Sequence, residues 1–288
     1  MTDIAATRWI FFLQPLILGA WFPRIPQVQE ALELSAGQLA FALIGMPIGL
    51  LTALTFGAKL AETLGTKRLL TVGILAQCFL LPLPAFAISG PMLFIALAIS
   101  GLALAVMQLS LNVTASMVEA RSTRPIMNGC HGFWSVGVLL GSALGAYFAA
   151  INLAPGYSLA VVAALTTLPL LLIGRRITNF AVPAQKRTRS GFKSISPTLA
   201  FISLFAFGIA MTEGAMADWS AIYLTDIFSA SPGLAGIGYT IFAFFVATGR
   251  FLGDPLKSRI PVERLAQSFA IVALIGLALI VLSPSVGL

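Results

Sequence analysis

Long apolar runs dominate the chain, separated by short polar connections. Nine stand out, at 8–31, 37–59, 68–89, 91–118, 127–150, 157–175, 197–225, 234–254 and 263–283. About 20 apolar residues in a helix cross the roughly 30 Å of bilayer hydrocarbon. Backbone groups in lipid must bond within their own segment, so each run predicts a membrane-spanning α-helix. The ten-residue alternation of a membrane barrel is absent. The expectation is an all-α membrane protein in three parts: residues 1–175 as a six-helix N-terminal bundle, 176–196 as a basic linker, and 197–288 as a partial C-terminal bundle of three helices.

Composition agrees with lipid as the solvent. Of 288 residues 58% are hydrophobic and 9% charged, where a soluble domain carries about 25% charged residues. The net charge of +7 brings nucleic acid to mind, but no basic stripe interleaved with aromatics exists to bind it. Charges fall instead in alternate connections: 1–8, 59–68, 119–126, 175–194 and 254–264. The connections near 32–36, 90, 151–156 and 226–233 hold no Lys or Arg. Sixteen of the 17 Lys and Arg, Arg250 counted among them, thus lie at or near one side. The positive-inside rule makes that side, and the N-terminus, cytoplasmic. Arg24 is the exception. No small-residue cleavage site follows the apolar stretch 9–22, so it reads as a first helix and not as a signal peptide.

Little suggests an enzyme. Cys78 and Cys130 lie in apolar stretches without metal-ligand or disulfide spacing, and His131 is the lone histidine. There is no phosphate-binding Gly-x-x-x-x-Gly-Lys-Ser/Thr loop. No metal or cofactor is expected.

A repeat appears six helices apart. The segment from Gly57 to Leu69 aligns with that from Gly253 to Leu265, matching Gly57 with Gly253, Leu60 with Leu256, and Arg68 with Arg264. The first copy carries Glu62, Gly65, Lys67 and Arg68; the second carries Asp254 and Arg259. This loop between helices two and three resembles the signature of the major facilitator superfamily, with Thr63 where many members have Arg. The strings Trp21-Phe-Pro-Arg24-Ile-Pro26, Asn128-Gly-Cys-His131-Gly-Phe-Trp134-Ser-Val-Gly137 and Glu213-Gly-Ala-Met-Ala-Asp218-Trp219 resemble the YbjJ-like members of its fucose-permease-like branch.

The resemblance implies a major-facilitator-type fold in a plasma (inner) membrane and secondary transport of a small solute by alternating access, with protons as coupling partner. A sugar-like metabolite leads; efflux of an amphipathic drug is the alternative. The superfamily has twelve helices and nine are read here, so a fragment or a truncated, non-transporting remnant is also open. Thr114 stands where relatives of this branch can carry Glu.

Charges within membrane helices are costly and so mark function. Glu213 and Asp218 are five residues apart in helix seven, about 140° around it. The deeper Glu213 is the candidate for proton coupling, since burial favours the neutral form of a carboxyl. Asp218, beside Trp219, is a candidate cap or gate. Arg24 either binds an anionic or hydroxylated solute, pairs with Glu213 or Asp218, or reaches the outer headgroups. His131 and Asn128 open helix five, as a proton or solute site or as a helix-start hydrogen bond. Gln108 and Asn112 share a face of helix four and suit a sugar or interhelical bonding equally; Gln14 is a similar candidate. Trp134 could stack on a ring. Gly137, Gly141 and Gly145, four residues apart, predict a close helix contact, expected as a seam on which the bundles rock.

Overall fold

The computed structural model describes residues 1–122, 125–181, 196–257 and 259–282, without the side chains of Asp254, Pro255 and Lys257. Among the described residues all regular structure is helical. The first pass is broken twice. Pro15 lacks a helical N–H and separates α1 (Asp3–Leu13) from α2 (Pro15–Trp21). Pro23 enters a 3-10 turn, Phe22–Arg24, before α3 (Ile25–Ala31). A capping box between Ser35 and Gln38 then starts α4 (Ala36–Leu43).

The next helix, α5 (Gly45–Leu80), contains a reversal. Gly65 has φ +67° and ψ 171°, a conformation open to glycine and strained for other residues. Before it the chain runs parallel to α6 (Gly90–Glu119): Gly45 lies against Phe94, Gly49 against Ala98 and Gly57 against Leu109. After it the order inverts. Gly73 lies against Met107, and the Ser100 hydroxyl donates to the Leu80 carbonyl at 2.8 Å. The chain therefore turns back at Gly65, inside the expected loop. Eight helical stretches of the described residues are long and apolar enough to cross a membrane. One of them folds back here, which accounts for the nine runs of the sequence. The third run is shortened: its helix ends at Leu80, and Pro82 and Pro84 hold Leu83–Phe86 in a 3-10 turn.

The remaining helices are α7 (Met127–Ala150), α8 (Pro155–Gly174), α9 (Pro197–Phe228), α10 (Pro232–Lys257) and α11 (Val262–Leu282). The start of α7 is capped from outside the helix. Glu119 Oε2 accepts from the N–H groups of Ile126 (2.6 Å) and Met127 (2.8 Å), an anion at a helix N-terminus. The Gly65 turn is also fastened. Thr66 N–H donates to the Phe180 carbonyl (3.1 Å) and Phe180 N–H to the Thr66 hydroxyl (2.8 Å). Asn179 Oδ1 accepts from Lys67 N–H, and Arg121 lies 4.5 Å over the Phe180 ring. The start of the expected linker thus stays bound to α5. Its basic residues Lys186, Arg187, Arg189 and Lys193 lie outside the described residues, as does Arg124.

Phe11, Ile17, Trp21, Leu93, Met107 and Leu159 lie in one buried core that also takes in Ala217 of α9 and Tyr239 and Ala243 of α10. A buried amide pair joins the first and third passes: Gln14 Nε2 donates to Gln77 Oε1 (2.8 Å), and Gln77 Nε2 to the Gln14 carbonyl (2.9 Å). Gln14 is thus interhelical glue. The glycine stripe of α7 fits against the first pass, where Gly137 meets the Phe12 carbonyl of α1, and Gly141 and Gly145 meet the Leu16 and Ala20 carbonyls of α2. It is a contact within the leading helices α1–α8. The trailing helices α9–α11 meet α7 elsewhere, through α10.

Candidate functional site

A cavity of about 190 Å³ lies where α2, the 3-10 turn, α7, α9 and α10 converge. The leading helices supply Leu18, Phe22, Trp134 and Ser135; the trailing helices supply Glu213, Ala217, Tyr239 and Phe242. The break at Pro23 brings Phe22 onto Tyr239, with ring centroids 4.7 Å apart. Small residues of α9, Gly214 and Ala217, keep that wall thin. The lining is largely aromatic and aliphatic with few polar groups, the usual make-up of a small-molecule site.

Those polar groups form a chain. Glu213 Oε1 accepts from Arg250 Nη2 at 3.2 Å. Arg250 Cζ in turn lies 5.4 Å from the Trp134 ring centroid, within cation–π range. Tyr239 is in the electrostatic field of Glu213, Asp218 and Arg250 together. The Trp134 Nε1 atom is buried without a hydrogen-bond partner. The Ser135 hydroxyl is already committed to the His131 carbonyl at 3.0 Å.

Two sequence candidates, Glu213 and Trp134, therefore meet at one cavity, with Asp218 close behind on α9. Glu213 departs from the expectation of a deeply buried, lone carboxyl. It is partly exposed and held by Arg250, which is not itself a lining residue and sits beside the cavity against Glu213 and Trp134. Arg250, counted with the basic residues of one membrane side, lies about 10 Å before the end of α10 at 1.5 Å per residue and turns onto Glu213.

Arg24 makes neither of the protein or headgroup contacts expected of it. It is fully buried, which excludes reaching to headgroups. Its Nη2 donates to the Leu153 carbonyl, in the turn between α7 and α8, and it pairs with neither Glu213 nor Asp218. Its Nε and Nη1 have no partner among the described residues.

The other candidates lie away from the cavity walls. Asn112 donates to the Gln108 carbonyl one turn earlier at 2.9 Å, within α6. His131 meets Phe11 edge-on with centroids 5.5 Å apart and feels the charge of Arg250. Asn128 is exposed at the start of α7. Thr114 is buried and its hydroxyl has no partner. In the loop signature Gly57 is buried against Leu109, Glu62 is half-buried one turn before Gly65, and Lys67 and Arg68 follow it. In the second copy Gly253 is half-buried and Arg259 exposed, while the Asp254 side chain lies outside the description.

Sequence reasoning missed Arg250, Tyr239, Phe22 and Phe242 as site residues. One signal for Arg250 was available. It stands inside an apolar run, 234–254, neighbouring the run that carries Glu213, and opposite charges inside two membrane helices tend to find each other.

Comparison with known proteins agrees with this architecture. Residues 9–288 match the family model described as Major Facilitator Superfamily. An uncharacterized MFS-type transporter of Yersinia pestis is 29% identical over 249 residues, covering 86% of this chain and 64% of its own length. Uncharacterized transporter y4wD of Sinorhizobium fredii is 29% identical across 96% of this chain and 74% of its own. Membrane protein MosC of Rhizobium meliloti is 27% identical across 98% and 69%. The chain thus spans just under two thirds of the Yersinia protein's length. With the match running from the first broken helix through all the later passes, this all-α, multi-pass membrane protein belongs to the Major Facilitator Superfamily.

Proposed function

We propose that the chain is a secondary active transporter of a small solute, coupled to protons through Glu213. The observation that carries this reading is the cavity. Its walls come from α2 and α7 on one side and α9 and α10 on the other, so a relative movement of the two groups would open it to one membrane face or the other. On this reading residues 1–175 and 197–288 act as two bundles joined by 176–196. The N-terminus is cytoplasmic in a plasma (inner) membrane, and the branch is the fucose-permease-like one. The loop at Gly65 is a cytoplasmic latch.

The solute is either a sugar-like metabolite, taken up by symport, or an amphipathic molecule. The first rests on the resemblance to that branch; the second is favoured by the aromatic lining, Phe22, Trp134, Tyr239 and Phe242. Replacing Glu213 with Gln removes the titrating group while keeping shape and a hydrogen bond to Arg250. In proteoliposomes the Glu213→Gln variant is expected to lose proton-driven accumulation and to retain solute exchange. Full accumulation by that variant would refute the coupling role.

A further inference from the structure

We infer that the solute is a small organic anion with an apolar, ring-sized body, and that it binds by taking Arg250 away from Glu213. This deepens the transport reading and rests on it.

Arg250 and Trp134 hold unspent hydrogen-bond donors. Arg250 is held to Glu213 through one nitrogen, Nη2. The guanidinium carries five donors in a planar fork that matches a carboxylate at two points. Trp134 contributes a further donor, its buried Nε1–H, without a partner. The nearby hydroxyl of Ser135 is spent on His131. The site thus holds surplus donors at one end, which call for an acceptor-rich anionic head.

The rest of the cavity sets the body. Phe22, Tyr239, Phe242, Val138 and Ala243 offer ring faces and alkyl surface. A polyol would lose water from its hydroxyls there and find few partners. The volume of about 190 Å³ is slightly above the roughly 150 Å³ of an apolar cavity that accommodates benzene. It suits one ring with a short acidic arm.

Charge balance then links binding to protons. With the cavity empty, Arg250 and Glu213 neutralise each other. An incoming carboxylate adds one negative charge and displaces Glu213, which takes up one proton to become a neutral acid. Few titratable or charged groups face Glu213. Asp218 lies on its own helix, Tyr239 and Arg250 come from α10, α2 offers Leu18, and the 3-10 turn offers Phe22. The only cation of the 3-10 turn, Arg24, is bound to Leu153. From α7, His131 is turned to Phe11.

The test uses the full chain in detergent with three ring-sized probes: phenylacetate, 2-phenylethylamine and inositol. Phenylacetate is expected to raise the melting temperature, with uptake of close to one proton per bound anion in a weakly buffered solution. Glu213→Gln removes the competitor for Arg250, so it should bind phenylacetate about fivefold more tightly, the scale of one partly exposed ion pair, and without proton uptake. Arg250→Gln should lose binding. Quenching of tryptophan fluorescence in the wild-type protein gives a second readout should a variant fold poorly. Weaker phenylacetate binding by Glu213→Gln, or binding to the wild type without proton uptake, overturns the proposal. So does a response to the amine or to inositol alone, which would leave the transport reading standing. If no probe binds, the anion class is overturned. Labelling of an Ala243→Cys cavity variant from each side of a vesicle then decides the wider reading: access from both sides in turn preserves transport, and access from one fixed side removes it.

Discussion

Two seams run along α7 and differ in kind. On one side its glycines meet the backbone of the first pass, the end of α1 and α2. A methyl added at Gly137, Gly141 or Gly145 would fall 2.1, 2.2 or 2.5 Å from a carbonyl oxygen. The contact is mutual, since a methyl at Gly19 of α2 would fall 2.3 Å from the Val138 carbonyl. On the other side α7 meets α10 through side chains. There Gly236 and Gly233 face the methyls of Ala146 and Ala150, Gly132 faces the Phe251 ring, and the hydroxyls of Ser142 and Thr240 lie 2.7 Å apart. Backbone against backbone leaves a single register, because interlocked main chains cannot slide without collision. Side chains can exchange rotamers and hydrogen-bond partners. If the two helix groups move as proposed, the α2–α7 seam suits the rigid part and the α7–α10 seam the moving one.

The sharpest way to break that contrast is to add bulk to each seam. Gly141→Leu places its side chain into the Leu16 carbonyl, a collision with main chain that cannot relax by rotamer change. The expected cost exceeds the roughly 1–3 kcal/mol of ordinary overpacking. Size-exclusion chromatography should show loss of the monodisperse folded protein. Gly132→Ala meets only the ring of Phe251, which can turn aside, and should cost about 1–2 kcal/mol while the protein still elutes as a folded species. Equal losses from the two variants would remove the distinction between the seams.

A loss smaller than that of Gly141→Leu is expected from the buried amide pair that ties α1–α2 to the second limb of α5. Gln77→Leu keeps volume but leaves the Gln14 amide and carbonyl without their partners. An unsatisfied buried polar group costs about 1–3 kcal/mol. The variant should fold and show a lower midpoint in a detergent denaturation series. An unchanged midpoint would mean that the leading helices are not held as a unit by this contact.

How much of this was legible depends on which physical signal each feature leaves in the chain. The nine passes were, because hydrophobic length is a local property that lipid enforces. The reversal at Gly65 was, because glycine followed by a basic pair between two apolar runs marks a turn. Gly137, Gly141 and Gly145 announce that a backbone comes close, but their spacing says nothing of whose backbone, so α2 could not be distinguished from α10. Glu213 was found because a carboxylate is rare in lipid. Arg250 was missed because the charge-side rule assigns a basic residue to the nearer helix end, and pairing overrides that rule when an acid faces it. Arg24 was noticed, but its partner is a carbonyl in the α7–α8 turn, and carbonyls have no sequence signature. Glu119 was overlooked for the opposite reason. It lies in an ordinary charged connection, and its capping of α7 emerges only from the path of the loop.

The smallest expected effect is the most exacting test of the moving seam. Ser142 and Thr240 share a hydrogen bond across α7 and α10, and the Thr240 hydroxyl also bonds the Gly236 carbonyl of its own helix at 3.1 Å. When the seam shifts, each hydroxyl can therefore fall back on its own backbone, as serine and threonine in helices commonly do. The pair then contributes little to stability in any one state. Interhelical hydrogen bonds in membranes average about 0.6 kcal/mol in double-mutant cycles, and the cycle of Ser142→Ala and Thr240→Ala should return a coupling of that size. A coupling near 2 kcal/mol would instead mean that the hydroxyls lock α7 to α10 as firmly as the glycines lock it to α2. The two seams would then be alike, and the movement would have to be sought at another helix contact.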